Sequence, residues 1–118
     1  MSEEVKPLGE KGPTQEWIND VKSKYGDIYY VYFDDEPVVF RTITRKEYIE
    51  IMQSSIPTPD NPGDDIGESE NRLVDMCTLW PENYKAAEEK KGGRVSGIAQ
   101  YVLYYSGFNF QDIMPQKL

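Results

Sequence analysis

Within the stretch VVFRTITRKEYIEI, residues 38–51, the spacing of apolar residues changes period at a single position, Thr44. Before it, Val38, Val39 and Phe40 form an unbroken β-branched and aromatic run, the mark of an extended strand. From Thr44 to Glu47 the chain matches the capping box, in which the threonine hydroxyl accepts from the amide of Glu47 and the glutamate reaches back to the amide of Thr44. Ile43 before the cap and Tyr48 four residues after it fit the hydrophobic staple, and Ile49, Ile51 and Met52 continue the buried side. Strand gives way to helix here within one residue, which commits the chain to a fold that mixes the two.

The neighbouring segments extend this pattern. DIYYVYF (27–33) is the strongest strand signal, apolar on both faces, which predicts that both faces are covered. The acidic turn DDEP (34–37) returns the chain into VVFRT (38–42) as a β-hairpin, with Pro37 at the turn or the start of the strand, where its missing N–H does no harm. Upstream, Thr14 caps a helix over residues 14–25, with Trp17, Ile18, Val21 and Tyr25 on one face and Gly26 as its stop. Downstream, residues 54–68 carry three prolines, two glycines and four acids and read as an acidic loop. A helix over 66–80 follows, with Leu73, Met76, Cys77 and Trp80 three or four apart, ended by Pro81. Residues 82–93 read as a short solvated helix closed by Gly92 and Gly93. A last helix in 94–108 places Val95, Ile98, Ala99, Val102 and Leu103 on one face and Tyr101, Tyr104 and Tyr105 on its flanks, with Gly107 and Phe108 forming its C-terminal stop. Residues 1–13 and 109–118, the latter with Phe110, Ile113 and Met114, lack periodicity and read as arms. The expected fold is one α+β domain over 14–108: a short antiparallel hairpin or small sheet packed against about four helices, with extended N- and C-terminal arms. At 118 residues every element must share one core.

Composition narrows the function more by exclusion than by indication. Thirteen basic residues against twenty-one acidic ones leave a net charge of −8, spread evenly along the chain, which repels nucleic acid and anionic membranes. There is no histidine, so the commonest general base and metal ligand is missing. Cys77 lies on the apolar face of its helix and reads as a buried structural thiol, and a single cysteine fits a reducing compartment. Asp34, Asp35 and Glu36 fit a solvated turn better than an acid/base pair. Asp60, Asp64, Asp65 and Glu68 miss the calcium-loop spacing, because Pro62 falls on a ligand position. Gly92, Gly93 and Gly97 match no phosphate-binding loop. No catalytic, cofactor or metal site is expected, and the chain reads as no enzyme. Surfaces remain. Nine tyrosines against four phenylalanines suit half-buried faces, either simple core packing or an association surface. The candidate contact residues are Arg41 and Arg45 beside the acidic turn, Tyr101, Tyr104 and Tyr105 on the last helix, and Phe108 and Phe110 after it. The two arginines are expected to point outward and to hold the acidic turn, the acidic loop or a neighbouring subunit's acids.

Taken in order, the motifs resemble those of the small tail-morphogenesis proteins of tailed bacteriophages. In that group an F/Y-R-x-(L/I)-T-R-x-E-(Y/F) junction precedes a helix ending in an apolar-Trp-Pro step and a helix closing on Ser-Gly-Phe. The matching residues are Phe40, Arg41, Ile43, Thr44, Arg45, Glu47 and Tyr48, then Cys77, Leu79, Trp80 and Pro81, then Gly93, Ser106, Gly107 and Phe108, within a likeness covering residues 28 to 108. VLYYSGF departs from the more aliphatic helix of the group, which leaves tail assembly chaperone and permanent tube, hub or baseplate component both open. The resemblance implies a non-catalytic protein that binds other tail or baseplate proteins or copies of itself, in the host cytoplasm during assembly and in the virion if structural. The acidic charge alone suggests a different class, a DNA mimic that inhibits a host enzyme; a mimic requires its acids in a regular stripe, whereas here they gather in turns, loop and helix ends.

Overall fold

A computed structural model of the chain describes residues 5–63, 65–108 and 114–118, with the backbone alone at Ile66. The elements run α1 (Gln15–Tyr25), β1 (Ile28–Phe33), β2 (Glu36–Arg41), α2 (Arg45–Ser54), α3 (Ile66–Cys77), β3 (Thr78–Trp80) and α4 (Gly92–Tyr105), with one turn of 3-10 helix at Ala86–Glu88. Among the described residues the fold is α+β, a three-stranded antiparallel sheet in the order β1-β2-β3 with four α-helices.

Local chemistry sets most of the boundaries. The Thr14 side chain accepts from the amide of Trp17, and Gly26, at φ 80°, ends α1 in a conformation that costs a glycine little. Phe33 pairs with Glu36 across a two-residue turn in which Asp34 has φ 58°, a region that aspartate tolerates better than most residues. Both bonds of the capping box form at Thr44 and Glu47. At the far end, the amide of Phe108 donates to the Leu103 carbonyl at 2.9 Å and that of Gly107 to the Tyr104 carbonyl at 3.1 Å, the paired bonds of a Schellman stop.

One face of the sheet, with Val38 and Phe40, packs on Ile43 and on Ile51 of α2, Val74 and Cys77 of α3, and Val95, Ile98 and Val102 of α4. The other face carries Pro37 and Val39, both buried. It is covered by α1 and by residues 5–13, so the N-terminal segment lies on the domain. There Trp80 Nε1 donates to the Lys11 carbonyl at 3.0 Å and the Tyr32 hydroxyl to the Leu8 carbonyl at 2.9 Å. Trp17 meets Trp80 edge to face, ring centres 5.4 Å apart.

Five details differ from the sequence expectations. The helix over 66–80 stops at Cys77, and Thr78–Trp80 becomes β3 alongside β2. Pro81 disfavours helical geometry at Trp80, and β2 offers a ladder to fill. Residues 82–93 form no helix beyond the single 3-10 turn; Asn83 sits at φ 61°, and the two glycines open α4 rather than closing what precedes it. The acidic loop ends earlier than 68, because Asp65 accepts from the amide of Glu68 and caps α3. Finally, the face of β1 that carries Tyr30 and Tyr32 is covered only in part, both rings remaining exposed, and on α2 Ile51 is buried while Ile49 and Met52 face outward.

Candidate functional site

The strand-to-helix corner is closed from within. Arg41 donates two parallel bonds to the Glu47 carboxylate, each 2.9 Å, and its guanidinium lies 5.3 Å from the centre of the Tyr25 ring. Glu47 Oε1 also accepts from the Thr44 amide at 3.0 Å, so one carboxylate serves both the cap and the ion pair. The pair is 15% and 25% exposed at its side chains, which keeps water from screening it fully. Arg41 therefore does not reach outward as expected: a bidentate partner six residues along the chain has already claimed it.

This pairing has a readable pH dependence. The Arg41 guanidinium first, and the Thr44 amide after it, hold the Glu47 carboxyl down at about 2 against an ordinary 4.5. A carboxyl whose folded value is depressed stabilises the fold above its unfolded value and loses that contribution as pH falls toward the folded one. Wild type is expected to lose about 2 kcal/mol between pH 4.5 and pH 2 from this group, and the variant Glu47→Gln to lack that part of the acid slope in urea titrations.

A second joint ties the corner to the end of α4. The Ile43 amide donates to Ser106 Oγ at 2.9 Å, across 63 positions of sequence. The ring of Phe108 lies against that of Tyr48, centres 4.5 Å apart. Phe108 is thus part of the packing, not a free contact residue. Arg45 is exposed and has no ion pair among the described residues. Phe110 lies outside the described residues.

The tyrosines of α4 do form a surface. Tyr101, Tyr104 and Tyr105 are 43%, 47% and 50% exposed. Tyr105 stacks on Tyr29 of β1 at 4.4 Å and receives Tyr104 edge to face at 5.3 Å, so these two rings are held by their neighbours rather than loose in water. Rigid half-exposed aromatic rings lose little entropy when covered, which suits them to protein contacts.

The acidic hairpin tip is held by cations other than the two arginines expected. Lys91 Nζ reaches Asp34 at 2.7 Å, Lys11 Nζ reaches Asp35 at 2.9 Å and Arg94 reaches Glu36 at 3.2 Å. These lysine contacts hold the carboxyls of Asp34 and Asp35 below their ordinary range, through the hydrogen bond first and charge second. Arg94 is the centre of the arrangement. Its side chain is only 9% exposed, its guanidinium lies 5.4 Å from the centre of the Phe33 ring, and Glu89 comes within 3.5 Å of its Nε. Behind it the Tyr84 hydroxyl is buried and is pushed up to about 12, by burial first and then by the charge of Glu89. Nothing near Arg94 in the sequence points to the turn that it holds.

Cys77 is fully buried and its thiol is raised to about 11 by that burial, the character of a packing residue rather than a nucleophile. Among the described residues no group of three or more cysteine, aspartate or glutamate side chains is placed to hold a metal ion, and no helix is long and apolar enough to cross a membrane. No protein-family model, no curated protein and no solved structure matches the chain.

Proposed function

We propose that this chain is a non-catalytic subunit or assembly factor of a bacteriophage tail or baseplate, acting through contacts with other tail proteins and with copies of itself. The supporting observation is that the motifs behind the phage resemblance, remote in sequence, converge on one joint. Ser106 of the Ser-Gly-Phe stop accepts from Ile43 of the Phe-Arg-x-Ile-Thr-Arg junction, and Phe108 packs on Tyr48. That joint fixes the end of α4 and with it the half-exposed Tyr101, Tyr104 and Tyr105. In this reading the corner is scaffolding, the tyrosine face makes the contacts, and the protein works in the host cytoplasm during assembly and in the virion if it stays.

The acidic-inhibitor alternative needs carboxylates free to stand in for phosphates. At the hairpin tip each acid is already matched by a cation of the same chain, which favours the contact reading. Mass spectrometry of purified particles of the encoding phage, with pull-down from cells assembling tails, tests the proposal. The chain is expected in the particle or captured with tail proteins; capture of a host enzyme in their place, with none of the chain in particles, overturns it.

A further inference from the structure

β1 is an edge strand, paired with β2 on one side only. Pro37 stands opposite Tyr32, and a residue without an N–H belongs in a pair that exchanges no backbone bonds. Alternation then puts Phe33, Val31 and Tyr29 in the bonded positions and turns the backbone groups of Ile28, Tyr30 and Tyr32 outward. Among the described residues no hydrogen bond reaches those outward groups. Sheet edges are ordinarily blunted by lysine, proline, a bulge or a covering segment. The residues of β1, IYYVYF, include no charge and no proline, and the sheet's register shift lies between β2 and β3.

Beneath this edge runs α4. A Cβ at Gly97 would come within 3.3 Å of the Phe33 ring, while Tyr105 stacks on Tyr29. Eight helical residues rise about 12 Å and four strand residues about 13 Å, so helix and strand keep step in opposite directions. Tyr101, midway between Gly97 and Tyr105, falls at the level of Val31, midway between Phe33 and Tyr29. On the upper face Tyr30 and Tyr32 meet edge to face at 5.8 Å and are 59% and 46% exposed. The free backbone edge is thus bordered by tyrosines above and below.

We infer that this edge pairs with the same edge of a second copy, antiparallel about a two-fold axis at Val31, to make one continuous six-stranded sheet. In that register Tyr30 lies opposite Tyr32 of the partner subunit, Tyr29 lies opposite Phe33 of the partner subunit, and the two Tyr101 rings meet at the axis below. The surface is self-complementary, as an isologous contact requires. Five tyrosines, each about half exposed and each worth about 200 Å² in full, supply about 500 Å² per copy, or about 1,000 Å² for the pair, which reaches the lower bound for a specific interface. The backbone edge adds to that area. Charge permits the pairing: β1 is neutral within a chain of −8. Beyond the strand, Asp27 approaches the partner's tip, whose acids are held by Lys91 and Lys11 in their own chain. The inference rests on the proposed function only in reading the chain as a contact-forming protein.

Sedimentation equilibrium of the full chain, with hydrogen exchange followed residue by residue, tests it. A concentration-dependent dimer is expected, in which the amides of Tyr30 and Tyr32 are protected when concentrated and exchange rapidly when diluted, while those of Tyr29, Val31 and Phe33 stay protected throughout. Tyr30→Lys places a charge on the edge, and Tyr101→Glu opposes two carboxylates at the axis. Each is expected to abolish the dimer while leaving the circular dichroism of the monomer unchanged, and if one variant fails to fold the other decides. A chain monomeric at every concentration, or a dimer whose edge amides exchange freely, overturns the pairing. Edge pairing in a chain that captures a host enzyme in place of tail proteins and is missing from particles upholds this inference and overturns the functional proposal; a monomer found in particles or captured with tail proteins does the reverse.

Discussion

Replacing Phe40 by alanine is expected to cost about 3–5 kcal/mol, the range for deleting a fully buried aromatic side chain. Phe40 is 1% exposed and is the next-to-last residue of β2 before the corner, with Tyr29 stacked at 5.7 Å and Tyr105 tilted against it at 6.3 Å. Its removal opens a cavity between sheet and helices and withdraws the support under both tyrosines. Domains of this size hold about 5–15 kcal/mol in all, so the variant forfeits a large share of its stability. Chemical denaturation of Phe40→Ala beside Phe40→Leu measures it, the leucine variant losing the smaller amount because it refills most of the volume. A loss below about 1 kcal/mol for the alanine variant contradicts the placement of Phe40 in the core.

The second large effect is expected at Arg94. Truncation to leucine leaves Glu89, whose side chain is 13% exposed, without the guanidinium that lies 3.5 Å away, and strips Glu36 of its partner at 3.2 Å. Breaking one side of a buried ion pair costs more than replacing both, so Arg94→Leu is expected to lose about 3 kcal/mol, with part of that recovered in Arg94→Leu/Glu89→Gln. The double-mutant cycle separates the two origins. Full additivity contradicts coupling between Arg94 and Glu89. The hairpin tip also loosens in the single variant, because Lys91 and Lys11 alone are exposed pairs of the weak kind.

The contrast between these two residues shows what local sequence conveys. Phe40, Thr44, Glu47 and the Schellman stop at Gly107 were legible because each rests on spacing within one turn or strand. The short β3 was not, since three residues become a strand only where β2 leaves a side unpaired, and their helical spacing with Leu73 and Met76 pointed elsewhere. Arg94 was hidden for a similar reason: its contact with Glu36 spans 58 positions. Arg41 is the instructive miss. Its partner lies six residues away, and the capping-box pattern uses only part of Glu47, because a carboxylate has two oxygens and accepts several bonds. Helical spacing puts the tyrosines of α4 on its flanks and leaves core packing and an association surface both open, whereas their alignment under the β1 edge emerges only once Gly97 is seen beneath Phe33.

The bond from the Ile43 amide to Ser106 also sets an order of events during synthesis. Phe40 and Ile43 share one core with Ile51, Val74 and Cys77 and with Val95, Ile98 and Val102 on the last helix, so the strand-to-helix corner is fully packed only once α4 has been made. A nascent chain halted ahead of α4 carries a bare aromatic hairpin, the form most open to mispairing. Closure of the corner on its full core therefore follows synthesis of residues 92–108. Until then the β1 hairpin stays exposed to whatever holds it first.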